Sequence, residues 1–65
     1  MELGNRLKAA RLASDLTQAQ LAELAGVSRK TINTVENGVF VPSTTLALKL
    51  AAALHTTVEA LFFLK

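Results

Sequence analysis

Positions 28–37 read Ser-Arg-Lys-Thr-Ile-Asn-Thr-Val-Glu-Asn, and at helical spacing they sort by chemistry. Arg29, Lys30, Asn33, Thr34 and Asn37 share one face, while Ile32, Val35 and Glu36 share the other. Side chains of the first set offer hydrogen bonds to base edges, and a helix fits the major groove of B-DNA. The same polar face would also serve simply to keep a small helical bundle in solution. Glu36 falls on the apolar side, where a carboxylate is costly unless paired. No catalytic set competes for attention: the one histidine, His55, has no Ser, Cys or carboxylate cluster with it and reads as a turn residue. There is no cysteine, which removes disulfides, thiolate zinc sites and cysteine nucleophiles. No metal, cofactor or small-molecule ligand is expected.

The elements that must hold this face are marked by their ends. Ser28 is placed to cap the helix, with Val27 and Ile32 as a hydrophobic staple, and Asn37-Gly38 closes it. The preceding helix starts with a full signature: Thr17 and Gln20 form a capping box, and Leu16 and Leu21 occupy the staple positions. That helix runs to about Ala25, with Leu21, Ala22, Leu24 and Ala25 inward, and Gly26 supplies a sharp exit. So few residues separate the two helices that they must meet at a large angle, which is a helix-turn-helix.

Around the pair, residues 2–14 read as a first helix, with Leu3, Leu7 and Ala10 on one face and Arg6, Lys8 and Arg11 on others. Asp15 ends it, a short polar side chain that tolerates the left-handed conformation. Val39–Pro42 is a loop, and Ser43 caps a fourth helix to about Leu54, with Leu46, Ala47, Leu50, Ala51 and Leu54 inward. Thr56 and Glu59 fit a capping box before a fifth helix over about Val58–Phe63 that is apolar nearly all round. Period-2 alternation does not persist anywhere, so the expected class is all-α.

The chain has 65 residues, enough for one small domain over 1–65. Hydrophobic residues make up 51% and mean hydropathy is +0.37, too apolar for a disordered chain and rich for a lone monomer. Val58, Leu61 and Phe62 can fill the inward stripe of the fifth helix, which leaves Phe63 and Leu64 without an interior. Leu48 lies off the inward face of the fourth helix. Leu48, Phe62, Phe63 and Leu64 are therefore the expected dimer seam. Net charge is only +2, but residues 1–30 carry Arg6, Lys8, Arg11, Arg29 and Lys30 against Glu2, Asp15 and Glu23. A basic excess in that half suits an anionic partner. The N-terminus has no apolar signal-peptide core, and the charge-free run Leu50–Val58 is too short to span a bilayer. A cytoplasmic protein without a membrane partner is expected.

The string Leu16-Thr17-Gln18-Ala19-Gln20-Leu21-Ala22, then Ala25-Gly26-Val27-Ser28, Thr31-Ile32, Val35-Glu36-Asn37-Gly38 and Pro42-Ser43, resembles the Cro/repressor-type (XRE-like) helix-turn-helix regulators. The resemblance covers about residues 5–63. It implies a compact five-helix bundle of the lambda-repressor-like DNA-binding type, with Ser28–Asn37 as recognition helix. It further implies base contacts from Arg29, Lys30, Asn33 and Thr34, and a phosphate clamp at Gln18. Ser28 and Asn37 would touch the DNA backbone. Arg6 joins the expected phosphate contacts, and a family ion pair would fall on Arg11 and Glu36. Departures are visible too: the loop Val39-Phe40-Val41 lacks the basic or polar residues frequent there, Leu12 replaces a charge, and His55 replaces Gly.

The expectation is a non-enzymatic, sequence-specific regulator of the repressor kind that binds double-stranded DNA at a near-palindromic operator as a homodimer. The rivals are an antitoxin or restriction–modification controller of the same fold, and a protein-interaction module docking through the apolar C-terminus.

Overall fold

The structure is a computed structural model that describes residues 1–65. In chain order it contains β1 (Leu3–Asn5), α1 (Leu7–Ala13), α2 (Gln18–Ala25), α3 (Arg29–Glu36), α4 (Thr44–Ala53), α5 (Val58–Leu61) and β2 (Phe62–Leu64). Helix α2 packs on both α3 and α4, α5 packs on α4, and α1 rests on α3. Leu7, Leu21, Ile32, Val35, Leu50 and Leu61 are fully buried where these helices converge. Each such side chain is worth roughly 1.5–3 kcal/mol of burial, so the core draws on every helix.

Three start signals operate as written. Thr17 accepts from the Gln20 amide at 3.0 Å while Gln20 Oε1 accepts from the Thr17 amide at 2.9 Å. Ser28 and Ser43 accept from the amides of Thr31 and Leu46, both at 3.1 Å. The fourth is displaced by one residue: Thr57, not Thr56, caps α5 through the Ala60 amide. The reason lies in how α4 ends. His55 takes a left-handed φ of 55°, its amide donates to Ala52 O, and the Thr56 amide donates back to Ala51 O at 2.9 Å. Thr56 thus belongs to the exit of α4 and is not available as a cap.

The all-α expectation needs correction. Residues 3–5 do not extend α1, and residues 62–64 do not extend α5. They pair as a two-stranded antiparallel sheet, with Leu3 opposite Leu64, Gly4 opposite Phe63 and Asn5 opposite Phe62. Glu2 and Lys65 prolong the ladder by exchanging amide bonds at 3.3 and 2.9 Å. The Leu3–Leu7–Ala10 spacing that reads as helix is real only from Leu7 onward. Gly4 and Asn5 are weak helix formers, and pairing with the far end of the chain decides the contest. Phe63 exploits this: a β-carbon added to Gly4 would stand 2.6 Å from its Cζ, so the ring packs where only glycine leaves room. The Arg6 guanidinium covers the same ring, 4.1 Å from its centroid.

Four helices end through the same left-handed exit, at Asp15, Gly26, Gly38 and His55. Two of those positions carry a side chain in a conformation that costs an L-residue roughly 1–2 kcal/mol. Replacing His55 by Gly removes that cost, against about 0.5–1 kcal/mol of added backbone entropy in the unfolded chain. His55→Gly is therefore expected to raise the thermal midpoint modestly. An unchanged or lowered midpoint would show that the His55 side chain contributes an interaction of its own.

Candidate nucleic-acid interface

Helix α3 is held from behind. Ile32 and Val35 are buried, and Glu36 follows on the same side with a side chain only 2% exposed. Its carboxylate is met by a fork. Arg11 Nε donates to Oε2 at 2.6 Å and Arg11 Nη2 donates to Oε1 at 3.2 Å. Gln18 Nε2 adds a third donor to Oε1 at 3.2 Å, and Arg11 Nη1 donates to Leu16 O at 2.8 Å. One cluster therefore ties α1, the α1–α2 turn, the first residue of α2 and the last residue of α3. Every buried side-chain nitrogen and oxygen in the structure has a hydrogen-bond partner, which is the condition under which a buried charge is tolerated.

The outward side of α3 is a different surface. Arg29, Lys30, Asn33 and Asn37 are exposed. Asn37 Nδ2 donates to Asn33 Oδ1 at 3.2 Å, which leaves the Asn33 Nδ2 group free to donate. Ser28 is occupied as the cap and also shares a hydroxyl contact with Thr31 at 2.9 Å. The α2 and α3 N-termini lie near one another: a shallow cleft of about 650 Å³ is lined by Thr17, Gln18 and Arg29 together with Arg11, Asp15 and Leu16. Amides at the start of a helix carry partial positive charge, which suits a phosphate.

Several expected site residues sit elsewhere or are otherwise engaged. Thr34 is half-buried, its hydroxyl donates to Thr31 O at 2.9 Å, and its carbonyl accepts from Val39 and Phe40. Gln18 is half-buried and turned toward Glu36. Arg6 is exposed, but its guanidinium lies on Phe63. Of the four residues expected at the dimer seam, Phe62 is buried in the core and Phe63 packs against Gly4. Leu48 and Leu64 remain exposed, at 58% and 65%.

One positioning residue escapes the sequence reading. Asn5 Oδ1 accepts from the Leu7 amide and so caps α1, while its Nδ2 donates to Val35 O in the last turn of α3, both at 3.1 Å. Its only sequence signal is an Asn two residues before a helical Leu. That signal is hidden once residues 2–14 are read as a continuous helix.

A two-helix corner with a rigidly backed, polar second helix is the arrangement of a DNA-binding helix-turn-helix. A family model described as helix-turn-helix matches residues 7–61. The chain belongs to that family, in its Cro/repressor (XRE-like) branch, and is a transcriptional regulator with the helix-turn-helix DNA-binding fold. It is 38% identical over 61 residues to the uncharacterized HTH-type transcriptional regulator YgzD of Bacillus subtilis, covering 94% of this chain and 92% of that one. It is 43% identical over 58 residues to the HTH-type regulator MJ0272 of Methanocaldococcus jannaschii, covering 89% and 88%. Among solved structures it is similar to the restriction-modification controller protein C.AhdI from Aeromonas hydrophila, with a TM-score of 0.81 and 38% identity, covering 85% of this chain and 83% of that one. No helix is long and apolar enough to cross a membrane.

The cluster behind α3 makes a stability prediction. Removing one partner of a buried pair strands the other charge and costs about 3–5 kcal/mol, whereas replacing both by apolar residues costs far less. Arg11→Leu and Glu36→Leu should each lower the melting temperature sharply, and the double variant should lose less than the sum. Additive losses would mean that the two side chains are not energetically coupled.

Proposed function

We propose that the protein recognises a near-palindromic double-stranded operator as a homodimer and acts as a repressor, with α3 entering the major groove. The observation that carries this reading is the division of α3: Ile32, Val35 and Glu36 are locked inward while Arg29, Lys30 and Asn33 project outward from its first two turns. Arg and Lys at the leading turn suit the O6 and N7 acceptors of guanine, and an Asn amide suits adenine. Thr34 gives its hydroxyl proton to its own helix, which leaves its oxygen lone pairs and its methyl to meet a base. Gln18, Ser28 and Asn37 flank that set and suit the sugar-phosphate backbone. Gln18 keeps a second amide hydrogen beyond the one given to Glu36, so one side chain can both support α3 and clamp a phosphate.

Size argues for two copies. The chain spans 30 × 21 × 20 Å, while successive half-sites on one face of B-DNA lie about 34–36 Å apart. One chain therefore covers one half-site. A groove of about 380 Å³ lined chiefly by Leu3, Pro42, Ala47, Leu48, Val58 and Phe62 supplies an apolar surface for the two-fold contact. Exposed Leu48 is on its wall, and Leu64 stands opposite Leu3 in the sheet. The similarity to a restriction-modification controller favours a second reading, in which the same recognition serves that narrower regulatory role.

Binding to a duplex selected from a random pool tests the assignment. Arg29→Ala and Lys30→Ala should each cost about 1–3 kcal/mol on that duplex and relax preference at one base pair. An unchanged ratio of specific to scrambled binding would remove both from the reading set. Sedimentation tests the assembly: wild type should dimerise, and a Leu48→Glu, Leu64→Glu variant should be monomeric. A wild type that stays monomeric at tens of micromolar, where a dimer of micromolar Kd would be mostly assembled, would contradict it.

A further inference from the structure

Directly after α3 the chain exposes three consecutive apolar side chains, Val39 at 79%, Phe40 at 47% and Val41 at 67%. This is an unusual place for them. No residue from Asn37 through Leu48 carries a charge, so this edge of the recognition helix offers nothing to neutralise a phosphate. Yet the segment is not loose. The amides of Gly38, Val39 and Phe40 donate to Val35 O, Thr34 O and Thr34 O at 3.1, 3.0 and 3.2 Å. The double bond to Thr34 O fastens the apolar tip to the body of α3, so its position follows that of the helix.

Given the operator recognition proposed above, we infer that Val39, Phe40 and Val41 pack on the DNA beside the half-site. There they meet deoxyribose carbons and thymine methyl groups in place of a cationic phosphate clamp. Two features favour DNA over a protein partner. The tip is hydrogen-bonded to the helix that enters the groove, so docking α3 carries it to the duplex. None of the three side chains lines the C-terminal groove, whose wall includes Pro42 and Thr44 just beyond them. DNA offers apolar surface at these points: thymine presents its methyl in the major groove, and apolar side chains wedge against base steps in many complexes. Such contacts release no counterions, so their share of the affinity does not depend on salt. The salt-dependent share falls to the remaining cations, Arg29 and Lys30 foremost, because Arg11 is consumed by Glu36.

The test compares wild type with Phe40→Ser and with a Val39→Ser, Val41→Ser double variant on one duplex selected by wild type from a random pool. The double variant changes only highly exposed positions, which protects the comparison against loss of fold; thermal melts verify this. Binding about tenfold weaker in both variants, with an unchanged slope of log affinity against log salt and unchanged sedimentation, is the expected result. Replacing the flanking thymines by deoxyuridine then separates the two sources. A loss for wild type that the variants do not share assigns the methyl groups, and no loss assigns the sugars. If wild type selects no duplex, operator recognition itself fails. If it selects one and both variants bind it equally well, this contact is wrong. Weakening that comes with a shift to monomer would overturn it as well, making the loop a contact between subunits.

Discussion

A carboxylate sealed from water is the constraint on which the arrangement depends. Glu36 ends α3 on the inward side and has almost no solvent access, so it must find donors from the protein. Arg11 supplies two, and Gln18 a third. The two residues come from different helices, α1 and α2, and the guanidinium also holds the turn between them through Leu16 O. These four bonds fix α1, α2 and α3 to one another. A buried pair of this kind adds little net stability over well-packed apolar residues. Its effect is on geometry: an apolar seam tolerates sliding, whereas a bidentate fork does not. The outward face of α3 inherits that rigidity.

Around this cluster the chain divides its surface. Polar groups that can meet DNA gather on α3 and at the start of α2, while the apolar groove with Leu48 lies on α4 and α5, beside the sheet. The two-stranded sheet separates the roles further. It joins both ends of the chain, frees Asn5 to cap α1 and to grip Val35 O, and gives Phe63 a bed on Gly4. Support for α3 thus arrives from both sides, through Arg11 and through Asn5, before any ligand is present. Preorganisation of this kind lowers the ordering cost of binding.

Much of this was legible in the sequence because local signals carried it. Thr17, Ser28 and Ser43 with their partners mark helix starts, and each acts through atoms within three residues. Glu36 at an inward position beside Ile32 demands a partner, and the family pattern points to Arg11. What remained illegible depends on contacts between distant residues. The pairing of Gly4 with Phe63 bridges the whole chain, and no local pattern distinguishes Leu3 at the end of a helix from Leu3 in a strand. The displaced cap at Thr57 arose because His55 behaves as a glycine would in ending α4. Periodicity places Thr34 on the outward face but does not show that its hydroxyl also donates to Thr31 O.

The central claim is that the outward side of α3, braced by the Glu36 cluster, is the surface that meets DNA. Amide resonances followed by NMR during titration with a selected duplex test it most directly. The account predicts the largest shifts at Thr17–Gln18, across Ser28–Asn37 and into Val39–Phe40, with residues around Leu48, Val58 and Leu64 little affected beyond their self-association. Shifts concentrated in that C-terminal groove, with α3 silent, would contradict it.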